Sequence, residues 1–366
     1  MVIDRYLIRE IVKPFIVIWA VLAILITSYG AAEFLSNAVN GLLPLGMLVQ
    51  LVGLRTLIAF DVLIPISLYL SVVLALGRMH ADSELTSLSA LGVGPVRVAG
   101  IVTILSVCIA LGVGGLSLIL RPWAYQRSHE LADLAGASLN TGDMRAGTFY
   151  VDRQASRTIF IGQRAGPEAP GLNVFVQLKL PGATRIIAAR TVKELPGARA
   201  GGGAVIHLTD AHVYDIRDGG IGRDLVMNVK NLVLTLPTPH VRPPEYSSVA
   251  ASTVHLAPSR SPADISELEW RLSTPVSTVL LGMLGVLLSR SRPREHKHAR
   301  LGIAILVYAG YYLWYESVRT WAERGVISTR PGVWWAPAAL AAVLLAAFLA
   351  PKLRSLWRSA RYASQP

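Results

Sequence analysis

The chain has 366 residues, 52% of them hydrophobic and only 16% charged, with a net charge of +12. Soluble domains carry roughly a quarter charged residues, so this composition excludes an ordinary water-soluble globule and makes lipid the solvent for part of the chain. The single cysteine, Cys108, excludes an internal disulfide and a cysteine-based metal site.

Crossing a bilayer core takes about 20 apolar residues of helix. Residues 14–32, 98–120, 272–289 and 331–351 carry no charge, and 56–77 carries only Asp61. Residues 301–315 are uncharged and then run into Glu316 and Arg319, which makes this the weakest of six candidate spans. Ahead of the first span, Arg5, Arg9 and Lys13 share one helical face while Ile3, Leu7 and Ile11 share another. That pattern predicts an interfacial helix which Pro14 turns into the membrane. The following apolar run exceeds the roughly 7–15 residues of a signal-peptide core, so a retained span is expected.

Between the second and third spans, Gly77 to Pro95 reads as a short amphipathic helix, about 81–92, on the inner surface. Asp82 or Ser83 is the expected cap, Leu85, Leu88 and Leu91 form a stripe, and Gly92, Gly94 and Pro95 stop the helix. Asp82 and Glu84 lie at its positive N-terminal end. Such a helix is either a turn resting on headgroups or a docking element for a cytoplasmic partner.

From Arg121 to Trp270 the pattern changes. Residues 122–139 read as a helix continuing out of the third span, and short β-rich segments follow at 147–152, 157–162, 172–178, 185–188, 204–208, 211–216 and 224–236. Their alternation predicts half-buried strands of a sandwich, jelly roll or barrel. Pro237, Pro239, Pro243 and Pro244 close the β region, and 259–269 lead back as a polar linker or short helix. His207, Asp210, His212 and Asp215 are close in sequence, but the two histidines have opposite strand parity. Zinc-ligand spacing and a nucleophile elbow are both lacking, so neither a metal nor a catalytic role is expected.

Charge sets the orientation. With the N-terminus in the cytoplasm, the inner pieces hold +9 of the net +12, while 121–270 is nearly balanced at sixteen basic and fourteen acidic residues. The positive-inside rule then puts both termini in the cytoplasm and 121–270 in the periplasm. The basic run 290–300 fits orientation and contact with membrane lipids rather than nucleic acid. The expected fold class is an α-helical integral membrane protein with six transmembrane helices (3+3) around an inserted all-β domain, in segments 1–120, 121–270 and 271–366. A Gly-x-x-x-x-Gly-Lys-Ser/Thr phosphate loop is absent, so energy for any transport comes from a partner or a gradient. Asp61 and Glu316 are the ionisable groups within spans, with Arg55 and Arg319 as nearby cations. They read as outer-leaflet positions rather than a proton relay.

Several stretches together resemble the LptF/LptG permease family of lipopolysaccharide export, nearer its LptF branch, over almost the whole chain. They are Ile3-Asp-Arg-Tyr-Leu-Ile-Arg-Glu10, Leu76-Gly-Arg-Met-His-Ala-Asp-Ser-Glu-Leu-Thr86 with Ala90-Leu-Gly92, Glu269-Trp-Arg-Leu-Ser273, Leu288-Ser-Arg-Ser-Arg-Pro-Arg294 and Arg319-Thr-Trp-Ala-Glu-Arg-Gly325. The resemblance implies a non-catalytic permease without a cofactor, in the inner membrane of a Gram-negative bacterium. It implies an LptG-like second permease, an LptB-like ATPase dimer beneath, an LptC-like periplasmic bridge and lipopolysaccharide as cargo. The insert would be a β-jellyroll, and the first and fifth spans lateral gates. Coupling to the ATPase would fall on Asp82, Ser83, Glu84, Leu85 and Leu88, the carboxylate accepting charge-assisted hydrogen bonds and the leucines filling a groove. The outer headgroup region would hold Glu33, Phe34, Arg55, Glu316, Arg319 and Arg324. Glu33 departs from the pattern, being acidic where a base is expected beside an anionic lipid. The alternatives are an LptG-like partner subunit, an exporter of another lipid, or a membrane-anchored periplasmic binding or scaffold protein. A pure anchor has no use for an acidic inner helix.

Overall fold

The structure, a computed structural model, describes residues 2–39, 45–137, 146–147, 149–152, 157–166, 169–180, 182–200, 203–217, 225–235, 246–289, 297–328 and 330–363. The chain divides into two compact units, one of Met1–Ser28, Arg55–Gln126 and Ser247–Pro366, the other of Tyr29–Leu54 and Arg127–Tyr246. The helices are α1 (Val2–Val39), α2 (Leu45–Ala81), α3 (Glu84–Ala90), α4 (Pro95–Gly115), α5 (Arg121–Ala137), α6 (Thr253–Leu256), α7 (Pro262–Ser289), α8 (Lys297–Glu323) and α9 (Trp335–Ala363). A π-helical turn, Leu116–Leu120, joins α4 to α5. The prolines 237, 239, 243 and 244 lie outside the described residues, as do most of the basic residues between α7 and α8.

Among the described residues, five helical segments are long and apolar enough to cross a membrane: Val2–Glu33, Gly46–Ala81, Pro95–Ala132, Pro262–Ser289 and Gly332–Leu349. The weakest expected span lies inside α8, which at 27 residues has the length to cross. Tyrosines dilute its apolar character, and the hydroxyls of Tyr311, Tyr312 and Tyr315 find protein partners. Tyr311 donates to Ser277 Oγ at 2.8 Å, and the Tyr315 hydroxyl meets Ser273 Oγ at 2.6 Å. In hydrocarbon a polar group must find such a partner, so α8 pairs its polar atoms with α7.

One expectation about the helices needs correction. Pro14 does not turn the chain: α1 runs through it as one helix, and Leu7 and Ile11 are fully buried in a core with Leu76, Met79, Leu85 and Val286. The apolar face therefore packs on protein rather than lying on lipid, while Arg5, Arg9 and Lys13 are exposed as expected. The polar return segment takes the helical form of the two expected for it, α7 beginning at Pro262, ahead of the expected fourth span.

Close packing at the centre of the helical unit depends on two glycines of α7. A Cβ on Gly285 would stand 2.9 Å from Val72 Cγ1 and 3.1 Å from the Tyr69 carbonyl, and one on Gly282 would collide with Ser106. Small residues at helix contacts let backbones approach in membranes, where apolar burial drives nothing.

In the second unit, six strands pair antiparallel with their sequence neighbours in the order β1-β2-β3-β4-β5-β6. They are β1 (Phe149–Asp152), β2 (Arg157–Gln163), β3 (Gly171–Leu180), β4 (Ala183–Ala200), β5 (Gly203–Arg217) and β6 (Leu225–Thr235). Among the described residues the inserted β domain is thus a single meandering sheet. One face packs its core, including Ile161, Val176, Ile187 and Val213. Segments 204–208 and 211–216, expected as two strands, form one. Asp210 and Asn173, on neighbouring parts of the sheet, take positive φ of 50° and 55°. The inward set changes parity there: Ile206 and Leu208 are buried before Asp210, Ala211 and Val213 after it. His207 and His212 are each flanked by these inward residues, so despite opposite parity they share the outer face. Gly171 lies beside the same crease; a Cβ on it would come within 2.7 Å of Ile161 Cγ2 and 2.9 Å of Val192 Cγ1.

Arg185 and Asp215 face each other across β4 and β5, joined by two hydrogen bonds of 2.6 and 2.8 Å. The guanidinium's hydrogen bonds and charge hold the Asp215 carboxyl below its ordinary value of 3.8.

Gly285→Ala should cost about 1–3 kcal/mol through overpacking against Val72, read as a lowered unfolding temperature of the detergent-solubilised protein. For Asp215 the folded carboxyl is the stronger acid, so its contribution is present above pH 3.8 and is lost as pH falls through the lowered value. Since the pair is partly exposed, Asp215→Asn should remove only about 0.2–1 kcal/mol at neutral pH. It should also abolish that part of the acid sensitivity in an acid-unfolding series.

Candidate functional site

Two clusters of polar side chains stand out in the helical unit, and about 25 Å of α2 separates Asp61 in one from Arg78 in the other.

The first surrounds α3. Ser83 occupies the residue before the helix, but its φ of 59° is left-handed and its side chain makes no capping bond. A side-chain cap needs extended backbone there, so the expected cap by Asp82 or Ser83 does not form. The Ser83 carbonyl instead accepts from the Ser87 N–H at 3.1 Å. The leucine stripe divides. Leu85 is buried in the core with Leu7 and Met79, and Leu88 packs at its edge. Leu91 is 77% exposed. Leu85 therefore anchors α3 to its own chain and cannot fill a partner's groove; Leu91 is the leucine left at the surface. Glu84 remains accessible, its Oε2 accepting from the Tyr6 hydroxyl at 2.8 Å. Asp82 is exposed beside it. Further ion pairs bind α1 to the flanking helices: Glu10 to Arg78, and Asp4 to Arg97 at 3.2 Å.

The second cluster is buried. Glu267 on α7 is fully enclosed and holds three arginines. Its Oε1 meets Arg271 Nε at 2.9 Å and Arg121 at 3.3 Å; its Oε2 meets Arg319 at 2.9 Å. Arg121 also faces Asp61 at 3.5 Å, and Asp61 accepts from the Trp270 indole at 3.2 Å. The Arg319 guanidinium lies 4.7 Å from the centre of the Trp270 ring and donates to Glu323 at 2.9 Å. Arg271 spends its remaining donors on the carbonyls of Ser248, Val249 and Ala251 and on Thr253 Oγ1. Thr253 in turn donates to the Leu118 carbonyl at 2.6 Å, inside the π-helical turn, whose wide winding delivers Arg121 to the cluster. A bulge of this kind inside an α-helix frequently marks a functional position.

The structure thus separates the expected outer residues. Arg319 enters the buried cluster, and Asp61 is held by Arg121 and Trp270, neither of which was expected as its partner. Glu316 accepts from Tyr312 at 3.1 Å. Arg55 and Arg324 are exposed. Glu33 is exposed on α1 and, with Phe34, belongs to the other compact unit; the Phe34 side chain lies outside the described set. Sequence reasoning missed Glu267, Arg271 and Arg121. The available signal was the i, i+4 spacing of Glu267 and Arg271 around Trp270 at the head of an apolar helix. Among the described residues, no group of three or more His, Cys, Asp or Glu side chains is placed to hold a metal ion.

Removing Glu267 leaves the buried Arg271 without a carboxylate and takes one partner from Arg121 and Arg319, which keep Asp61 and Glu323. Glu267→Ala should therefore cost about 3–5 kcal/mol, seen as loss of the folded protein from detergent extracts. Asp4→Asn, at a surface pair, should leave the unfolding temperature close to that of the native protein.

Comparison with known proteins agrees with this architecture. The sequence profile of the lipopolysaccharide export system permease LptF/LptG matches residues 5–350. The lipopolysaccharide export system permease protein LptF of Escherichia coli K12 is 23% identical over 352 residues, covering 91% of each chain. The LptF protein of Shigella flexneri gives the same identity and coverage. With a match across nearly its whole length and with membrane-length helices flanking an antiparallel β domain, this chain belongs to the LptF/LptG family of lipopolysaccharide export permeases.

Proposed function

We propose that this chain is the LptF-type permease subunit of an ATP-driven exporter, extracting lipopolysaccharide from the outer leaflet of the inner membrane. Support comes from the family match and from the LptF names of its relatives. In this reading the chain pairs with an LptG-like permease and sits on an LptB-like ATPase dimer. An LptC-like bridge takes cargo from the β domain. Both termini are cytoplasmic and 121–270 periplasmic, following the distribution of positive charge.

The observation that carries the coupling role is Glu84, accessible on α3 and held by Tyr6. A carboxylate fixed in this way accepts charge-assisted hydrogen bonds from an ATPase surface, with Asp82 adding charge and Leu91 an apolar contact. Because Leu85 is embedded in the core of α1, α2 and α4, movement imposed on α3 passes to those helices. The inner face of the sheet, led by Ile161, Val176 and Ile187, offers apolar surface for acyl chains. Those side chains pack on one another, so passage requires them to part.

Glu84→Ala should leave insertion intact while ATPase association weakens about tenfold or more, one lost charge-assisted bond being worth about 1.5–3 kcal/mol. Co-purification with a tagged ATPase and lipopolysaccharide release from proteoliposomes read the two effects. Normal release by this variant refutes the coupling role. Failure of an ATPase and a second permease to co-purify with the native chain favours a membrane-anchored scaffold.

A further inference from the structure

Where α1, α2 and α8 converge lies a slot of about 360 Å³ that the transport reading leaves unused. Its walls are apolar, from Pro14, Val73, Leu74, Ala75 and Leu301, and its remaining lining residues include Glu10, Lys13 and Arg78. Glu10 serves both cations, pairing with Lys13 at 3.4 Å and with Arg78. Within the lining one carboxylate faces two cations, with Glu84 acting on Arg78 from outside it, and the Lys13 and Arg78 side chains are 59% and 50% exposed. Pro14 carries no N–H, so the Glu10 carbonyl lacks its α-helical donor and offers an acceptor at the same place. Basic pockets between helices on the cytoplasmic side are suited to anionic lipid headgroups.

We propose that this slot binds one anionic glycerophospholipid of the cytoplasmic leaflet. Its phosphate meets Lys13 and Arg78, a headgroup or glycerol hydroxyl donates to the Glu10 carbonyl, and an acyl chain lies along Pro14, Val73 and Leu301. Three features select this occupant. The apolar walls suit hydrocarbon, the two cations of the lining suit a phosphate, and both belong to the inner set that orients the chain. The assignment to the cytoplasmic leaflet rests on the orientation adopted above. The lipid would seat the cytoplasmic end of α1 against α2, next to the Tyr6 and Glu84 contact.

The test is native mass spectrometry of the full chain in mild detergent, titrated separately with phosphatidylglycerol and phosphatidylcholine of equal chain length. One phosphatidylglycerol should be retained in preference to phosphatidylcholine. Lys13→Gln, at an exposed position, should weaken its retention about fivefold, corresponding to about 1 kcal/mol per surface cation. Glu10→Gln removes the carboxylate but keeps both cations, and should strengthen retention by a similar factor. A purely structural role for these ion pairs gives the opposite sign for Glu10→Gln, and a misfolded variant cannot imitate a gain. Weakening by Glu10→Gln, or equal retention of the two lipids, overturns the proposal. So does displacement of the lipid by millimolar inorganic phosphate, which would mark a bare anion site. The readout involves no ATPase, so failure of the coupling role leaves it unmoved and failure here leaves that role standing.

Discussion

The enclosed carboxylate of Glu267 is the constraint around which the helical unit is arranged. Transferring an isolated charge into a low-dielectric interior costs several kcal/mol even after relaxation, so three arginines can share that interior only where acceptors are already fixed. Glu267 binds Arg121, Arg271 and Arg319 directly. Asp61 and Glu323 complete the charge balance at the edges. These residues come from four separate parts of the chain, α2, α5, α7 and α8. α2, the π-helical turn and α5, α7, α8 and the segment 248–253 must therefore adopt one relative arrangement to satisfy them. Apolar burial alone would not impose this, because lipid tails are as apolar as the helix faces.

The other polar cluster has different energetics. Around α3 the ion pairs are exposed, and such pairs contribute about 0–1 kcal/mol each. Its cohesion comes from Leu7, Ile11, Leu85 and their neighbours. Polar locking at one level and apolar packing with light ionic trim at the other give the unit a stiff region and a more deformable one. Under the proposed function, a transporter driven from below needs that ordering. The end that receives force must yield, while the region fixing the helices must retain its geometry.

Much of this was legible in the sequence, and the failures share a cause. Apolar runs located the helices, turn chemistry and alternation located the strands, and the helical extension after residue 121 appears as α5. Patterning reports only what a residue would do with solvent or lipid around it. Leu7 and Leu85 were therefore read as surface-facing when tertiary packing takes them into a core. The tyrosines of α8 weakened a span whose polar atoms are satisfied by α7. His207 and His212 have opposite strand parity, which places residues on opposite faces only along an unbroken strand, and Asp210 breaks the count with a positive φ. The buried cluster was missed because its members lie far apart along the chain. Asp61, Arg121, Glu267 and Arg319 become neighbours only once the helices are assembled.

The coupling role proposed for Glu84 came from the resemblance to the LptF/LptG family, and the packing alters its mechanical meaning. An amphipathic helix resting on headgroups could tilt independently, dissipating any push from below. Here Leu85 is inserted among residues of α1, α2 and α4, and Tyr6 holds the Glu84 carboxylate from α1. A partner gripping Glu84 therefore grips two membrane helices by a hydrogen bond and a buried side chain together. Tilting α3 alone would expose Leu85, at roughly 1.5–3 kcal/mol for a full leucine side chain, and would also break the Tyr6 bond. Moving α3 with α1 and α2 breaks neither contact. The lower-energy response to force at Glu84 is displacement of the membrane helices themselves, which is the response that coupling to transport requires.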